Sequence, residues 1–245
     1  MGFRIEERSA PVASSGSWRQ TPLSVEVWGP LACFTRPELK VERVSYPVPT
    51  PSAMTGLLEA IFWKPEFHYV ITRIEVLAPI EWIAVRRNEV KSVVSLDQVR
   101  RLQTDRTARY DVETDRDQRN TMALKDVAYR VHAQMKLAPH ADAPAAKYRD
   151  QLRRRVERGQ CFSQPFLGTR EFAAYFGPTG SAPVDGVPID RNDELGVMLH
   201  SIEYTDEGER YHWFNARLQH GVLEVRDPLG PDDVDMPKAS WRKGA

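Results

Sequence analysis

Cysteine is scarce in this 245-residue chain: only Cys33 and Cys161 are present, with no CxxC spacing and no Cys/His cluster. That excludes a disulfide framework and a structural zinc site, and it points to a reducing, cytoplasmic setting. Net charge is also missing. Lys+Arg and Asp+Glu stand at 34 each, so any affinity for nucleic acid must rest on local clustering of charge. No apolar run approaches membrane-spanning length, which argues against a membrane partner. Residues 1–22 lack the apolar core of a signal peptide and read as a flexible, polar N-terminal tail.

What is present suffices for a real core, since 41% of the residues are apolar. Residues 23–27 alternate like a first strand, and a basic loop follows over 31–49. The loop carries Arg36, Lys40 and Arg43 beside Phe34 and Tyr46, residue types suited to phosphates and stacked bases, although an ordinary solvated connection has the same composition. Thr50-Pro51 is a helix start, with a capping hydroxyl and a proline whose missing donor costs nothing there. Leu57, Leu58, Ile61 and Phe62 then recur at helical spacing until Pro65. Strands follow over 68–77 and 82–91, the second bearing Arg86 and Arg87.

Residues 93–120 are charged and aperiodic, and read as a functional or disordered flap. Alternation returns over 124–137, with Val127, Tyr129, Val131, Ala133, Met135 and Leu137 inward and Leu124, Asp126, Ala128, Arg130, His132 and Gln134 outward. His132 reads as a surface histidine. Over 147–158, Lys147, Arg149, Arg153, Arg154, Arg155 and Arg158 outnumber Asp150 and Glu157, while Tyr148, Leu152 and Val156 form an anchoring stripe: a helix with a basic rim. Its competing reading is a solvated face with ion pairs such as Asp150 to Arg154. Gly168 is placed to bring backbone close to a phosphate, with Arg170 as a fork for it.

If Phe172 to Tyr175 continue as a strand, the order strand, helix, strand, strand, helix, strand is that of an α+β, ferredoxin-like (RNA-recognition-motif-like) domain over residues 23–176. Residues 177–192 read as a linker. Short strands at 197–204, 211–218 and 222–225 predict a small antiparallel β-sheet domain over 193–227, followed by a C-terminal tail over 228–245. His200, His212 and His220 lack ligand-like spacing and read as packing or surface residues.

Several long runs carry a specific resemblance. Gly29-Pro-Leu-Ala-Cys-Phe-Thr-Arg-Pro-Glu-Leu-Lys-Val-Glu-Arg-Val-Ser-Tyr46, Pro49-Thr-Pro-Ser-Ala53 and Glu59-Ala-Ile-Phe-Trp-Lys-Pro65 resemble the opening of the fifth CRISPR-associated (Cas) protein of subtype I-C (Dvulg) systems. Arg86-Arg-Asn-Glu-Val90, Leu124-Lys-Asp-Val-Ala-Tyr129 and Arg158-Gly-Gln-Cys-Phe-Ser-Gln-Pro-Phe-Leu-Gly-Thr-Arg-Glu-Phe172 agree in the same order, so the likeness spans roughly 23–226.

The resemblance implies an endoribonuclease that cuts the repeat of the CRISPR precursor RNA on the 3′ side of a hairpin. It implies that the protein then stays on the 5′ handle of the mature guide, alongside the other subunits of a type I-C interference complex (Cascade). It implies metal-independent cleavage with no cofactor: a 2′-hydroxyl attacks its own phosphate, which needs a base, an acid and a cation for the phosphorane charge.

Carried over, the family's site falls on Phe62 and on the pair Ala146-Lys147, where the family pattern has an aromatic or histidine and a Lys-His pair. Both positions depart from that pattern, because phenylalanine transfers no proton and lysine is a poor base unless its pKa is lowered. Lys147 is therefore the candidate general acid or phosphate clamp, assisted by Tyr46 or Tyr148. The candidate RNA-binding surface is Arg36, Lys40, Arg43, Arg86, Arg87, Lys125, Arg149, Arg153 and Arg170. A non-catalytic RNA-binding subunit is the alternative, and double-stranded DNA is a further candidate partner for the same arginines.

Overall fold

In a computed structural model the spine of the molecule is one 22-residue strand, β5 (Arg116–Leu137). Residues 22–39, 42–206 and 208–229 are described, so Lys40 and nearly all of both expected tails lie outside the described residues. The inward set of β5 is Val127, Tyr129, Val131, Ala133 and Met135, all at most 7% exposed, as the alternation predicts, whereas Leu137, expected inward, is exposed at the end of the strand. Over this half it pairs antiparallel with β1 (Leu23–Ala32) and β3 (Phe67–Val76). Over its other half it pairs with β4 (Glu81–Val90) and, in parallel, with the two-residue β2 (Arg43–Val44). The partners change over at Asp126, whose φ is +48°.

Residues 93–120 are not a structureless flap. They hold α2 (Leu96–Thr104), opened by a reciprocal Ser95–Gln98 capping box, then a 3₁₀ turn at Val112–Asp115 and the start of β5. These elements escape periodicity because α2 buries no residue and the first turn of the arm is polar on both faces.

Helix α1 (Pro51–Ile61) starts as read: the Thr50 hydroxyl accepts from the Ala53 amide at 3.2 Å. Met54, Leu57, Leu58 and Ile61 are buried beneath it. It packs on β3 and also on β7 (Asp193–Thr205), so the sheet curls around it as a half-barrel. The remaining elements are α3 (Ala145–Glu157), β6 (Tyr175–Gly177), β8 (Gly208–Gln219) and β9 (Val222–Glu224). The result is an α+β protein with one nine-stranded, mostly antiparallel sheet in the order β6-β1-β5-β3-β9-β8-β7.

The C-terminal strands therefore do not form a sheet of their own. β9 pairs with Arg73, Ile74 and Glu75 of β3, and Met198, Phe214, Leu218 and Leu223 share the main core. The expected linker is also tied down. Glu26, fully buried on β1, accepts from the amides of Ser181 and Ala182 at 2.9 Å each and from Arg130. Arg130 in turn reaches Glu75 at 2.6 Å and the Gly186 carbonyl at 2.7 Å. His132 belongs to this network, 2.9 Å from Glu75, and is half-buried rather than on a wet surface, because residues 177–192 cover this face of the sheet.

Candidate cleavage site and nucleic-acid interface

Phe62 and Tyr148, the residue after the Ala146-Lys147 pair, both pack on one aromatic ring. Phe62 caps the C-terminus of α1, and its ring centroid lies 5.5 Å from that of Phe67 at the start of β3. Tyr148, on the first turn of α3, also packs on Phe67, at 5.3 Å. Ala146 points into solvent; Tyr148 reaches Phe62 only through Phe67, and the α3 residue over the Phe62 ring is Arg155, 5.2 Å from its centroid. Three consecutive rings, Phe62, Phe67 and Tyr148, are thus the hydrophobic floor that fixes the start of α3 against the end of α1.

Around this floor stand polar groups that the sequence alone did not assemble. The Tyr148 hydroxyl donates to Asp142 Oδ1 at 2.7 Å. That bond, then burial, pushes the Tyr148 hydroxyl up to about 12, with the charges of Asp142 and Glu66 adding to the shift. The same bond, together with Lys147 and Lys64, holds the Asp142 carboxyl below its ordinary value, so it is ionised at neutral pH. Glu66 Oε2 is buried with no hydrogen-bond partner among the described residues. Lys147 itself is exposed. It lines an open cleft of about 620 Å³ with Asp150, Arg153 and Arg154. The one available sequence signal for Asp142 was Tyr148, a buried tyrosine in need of an acceptor.

Tyr46 is not brought to this place. It sits before the N-terminus of α1, 2% exposed, and an 11-residue helix of roughly 16 Å separates that end from Phe62. Burial, aided by Glu38, pushes its hydroxyl up to about 12, and the hydroxyl meets the Leu199 backbone. Its ring lies beneath Arg36, whose guanidinium carbon is 4.8 Å from the centroid.

The arginines of the expected RNA surface divide into two groups. Arg43 and Arg87 are tied into a network that joins β2, β4, β5 and the segment before β6. Arg43 pairs with Glu89 at 2.9 Å and Glu171 at 3.7 Å, Arg87 pairs with Glu171 and stacks on Phe172 at 5.1 Å, and Arg119 pairs with Glu89 at 3.4 Å. Such paired charges position structure before they can meet a ligand. Arg86 and Arg170 are exposed, with no ion pair among the described residues. Arg36 pairs loosely with Glu38 at 3.8 Å, Lys125 with Asp126 at 3.3 Å and Arg153 with Asp150 at 2.8 Å, all in solvent. Asp150 thus takes Arg153, not Arg154. Arg149 is half-buried and bonds Gln134 at 3.2 Å.

Gly168 has φ +87°, and a Cβ there would lie 2.0 Å from the Cys33 carbonyl oxygen. Its missing side chain serves a close approach of two backbones, sealed by the Cys33 amide bonding Leu167 O at 3.0 Å, and not the approach of a phosphate.

A curled, mostly antiparallel sheet wrapped on one helix, with a basic helix docked at that helix's C-terminal end, defines a class. Two solved structures share it: a CRISPR-associated protein (TM-score 0.60, 22% identical, covering 89% of this chain and 97% of that one) and a functionally uncharacterized Streptococcus mutans protein (TM-score 0.58, 21% identical, covering 86% and 94%). The family model described as CRISPR-associated protein (Cas_Cas5), of the Cas5d type, matches residues 23–226. A Thermus thermophilus protein named CRISPR pre-crRNA endoribonuclease Cas5d is 45% identical over 222 residues, 83% of this chain and 90% of the relative. A Mannheimia succiniciproducens protein of the same name is 42% identical over 214 residues, 83% and 94%. The chain belongs to the Cas5d family of CRISPR-associated proteins.

Proposed function

We propose that this chain is an endoribonuclease that cuts CRISPR precursor RNA within the repeat and remains on the 5′ handle of the product as a subunit of a type I-C interference complex. The observation that carries the reading is that the start of α3, where Lys147 is followed by Tyr148, docks through Phe67 beside Phe62 at the end of α1, within a chain 45% identical to a named pre-crRNA endoribonuclease. The order β6-β1-β5-β3, with α1 and α3 as its two crossings, supports reading 23–176 as a ferredoxin-like RNA-binding unit and 193–227 as an appended β unit, joined through 177–192.

The chemistry follows from charge. A 2′-hydroxyl that attacks its own phosphate builds up a phosphorane dianion, and Lys147 with Lys64 supplies preorganised positive charge beside it. Asp142 is ionised and accepts from the Tyr148 hydroxyl, so that as the attacking 2′-hydroxyl passes its proton to the Tyr148 oxygen, Tyr148 passes its own to Asp142. Lys147 is the donor for the departing 5′-oxygen or the clamp on the phosphate. Tyr46 supports the fold beneath Arg36 rather than the chemistry. The mechanism we propose uses side chains alone, so cleavage proceeds in EDTA.

The test is incubation of the purified protein with its cognate repeat RNA in EDTA. Discrete cuts ending in a 2′,3′-cyclic phosphate are expected, and Lys147→Ala should abolish them while RNA binding persists. One observation favours a second reading: Phe62 carries no transferable proton. Tight binding without cleavage, with or without added divalent metal, would establish a guide-RNA-holding subunit. Competition by duplex DNA at matched salt tests whether the same arginines also hold double-stranded DNA.

A further inference from the structure

Two large apolar rings stand in solvent at the C-terminal end of α1, on backbone that is firmly held. Trp63 is 56% exposed and Phe162 is 86% exposed. Neither ring has an aromatic or cationic partner among the described residues. Exposure of this kind usually accompanies mobile backbone, and here it does not. The Phe162 and Ser163 amides both donate to the Ala60 carbonyl, at 2.9 and 3.1 Å, and Arg155 Nη1 donates to the Ile61 carbonyl at 2.8 Å. These are carbonyls of the last turn of α1, which lack helical partners, so the chain leaving α3 is itself the cap of α1. Gly159, at φ +62°, makes the turn that delivers it, with the Gln160 amide returning to Arg155 O at 2.9 Å. Trp63 follows the capping residue Phe62 directly. The two rings are therefore presented by backbones that are bonded together, three residues apart at most from the shared Ala60 carbonyl.

The surroundings say what such rings would receive. Lys64 follows Trp63 and reaches Asp142 electrostatically. Arg155 lies over Phe62, its guanidinium carbon 5.2 Å from the ring centroid, and Arg154 and Arg158 are exposed on the last turn of α3. Unpartnered aromatic faces bordered by cations match a single strand, in which each base offers a π-face and each linkage a negative charge. A protein partner of ordinary composition would not require the cations.

We propose that Trp63 and Phe162 form a base-stacking platform for unpaired nucleotides of the bound RNA, next to the candidate cleavage site at Lys147 and Tyr148. The inference rests on the RNA-processing reading above and adds a specific role to residues outside the expected binding surface. Stacking is not ionic, so the platform separates experimentally from the arginines.

The experiment measures repeat-RNA affinity of Trp63→Ala, Phe162→Ala, Trp63→Phe and Phe162→Leu across a salt series, with thermal melting as the folding control. Each alanine variant should bind roughly five- to a hundredfold more weakly with an unchanged salt slope, which is the expected range for one lost stacked base. Trp63→Phe should recover most of the affinity, while Phe162→Leu, apolar but without a π-face, should not. Alanine variants that bind like the parent protein overturn the platform, as does full recovery by Phe162→Leu. A changed salt slope also overturns it. Variants that bind RNA normally but fail to join other complex subunits would reassign the rings to protein docking. If the parent protein binds no repeat RNA, it is the RNA-processing reading that fails, which is a different result.

Discussion

Tyr148 on α3 and Asp142 in the loop that feeds it are joined by a 2.7 Å hydrogen bond, and this bond orients the hydroxyl of a ring that packs on Phe67. Tyr148→Phe keeps the ring packed on Phe67 and deletes only the bond. The cleavage rate should fall about tenfold, the loss typical of a charge-assisted hydrogen bond, with RNA affinity unchanged. Single-turnover cleavage beside a binding isotherm separates the two quantities. Loss of binding in this variant would show that Tyr148 acts through the shape of α3 alone.

The pair also sets a pH window. Asp142 is depressed below 3.8 in the folded state, so its contribution is present above that value and lost as pH falls through the lower folded one. Tyr148 is raised from 10.0 to about 12, so its contribution is present below 10 and lost as pH rises toward 12. Tyr148→Phe should remove the alkaline dependence and weaken the acidic one, leaving the part due to Lys147 and Lys64. Melting temperature against pH, at either end, checks it.

The arginine network makes the proposed RNA surface narrower than its list of cations. Arg43 and Arg87 are already neutralised by Glu89 and Glu171, so their alanine variants should lower the melting temperature and leave the salt slope of RNA binding nearly unchanged. Arg86→Ala and Arg170→Ala should do the reverse. Each should flatten the slope by about 0.7, the single-strand value for one phosphate contact, without loss of stability. Equal slope changes in all four variants would mean that the network opens when RNA binds.

How much of this could be read from the chain follows from which residues carry period and which carry only contact. Residues 124–137 announce β5 because one parity is apolar from Val127 to Leu137. Its first eight residues do not, because Arg116, Asp117, Gln118, Arg119 and Asn120 are polar on both faces and only the β4 backbone gives them a register. The Ser95–Gln98 box was a visible start signal for α2, but no apolar stripe is buried to confirm it. At the candidate site, Lys147 comes from the resemblance and Tyr148 from its place beside Lys147 in the sequence. Lys64, Glu66 and Asp142 come from neither, since turns bring them together and turns leave no periodicity. Tyr46 misleads for the same reason: closeness in sequence to a basic loop says nothing about which end of α1 its hydroxyl reaches.

The buried network under residues 177–192 predicts acid sensitivity. Burial alone would raise the Glu26 carboxyl. The Ala182 amide and Arg130 outweigh it, so its pKa is lowered and its stabilisation is lost as pH falls below about 4.5. Burial, with Arg73, also depresses His132 against the opposing pull of Glu75, so stability should begin to decline below about 6.5. Arg130→Met leaves Glu26 buried without its cation. The cost should be on the order of 3–5 kcal/mol, measured by urea unfolding at pH 7, and proteolysis should shift to the 177–192 segment. A variant as stable as the parent would mean that water replaces the guanidinium.

Cys161 gives a direct readout of RNA at the end of α1. Cys33 is fully buried and its thiol is pushed up by burial, whereas Cys161 is exposed beside Phe162. Native protein should therefore take up one equivalent of a maleimide, at Cys161, and the unfolded protein two. Saturating repeat RNA should slow the reaction at Cys161, because a strand stacked on Phe162 covers its neighbour. The protection should vanish in Phe162→Ala at RNA concentrations that saturate the parent protein, and return when RNA is raised by the factor by which affinity has dropped. Alkylation at an unchanged rate under saturating RNA would place the strand elsewhere, and would direct attention back to the cleft lined by Lys147, Asp150, Arg153 and Arg154.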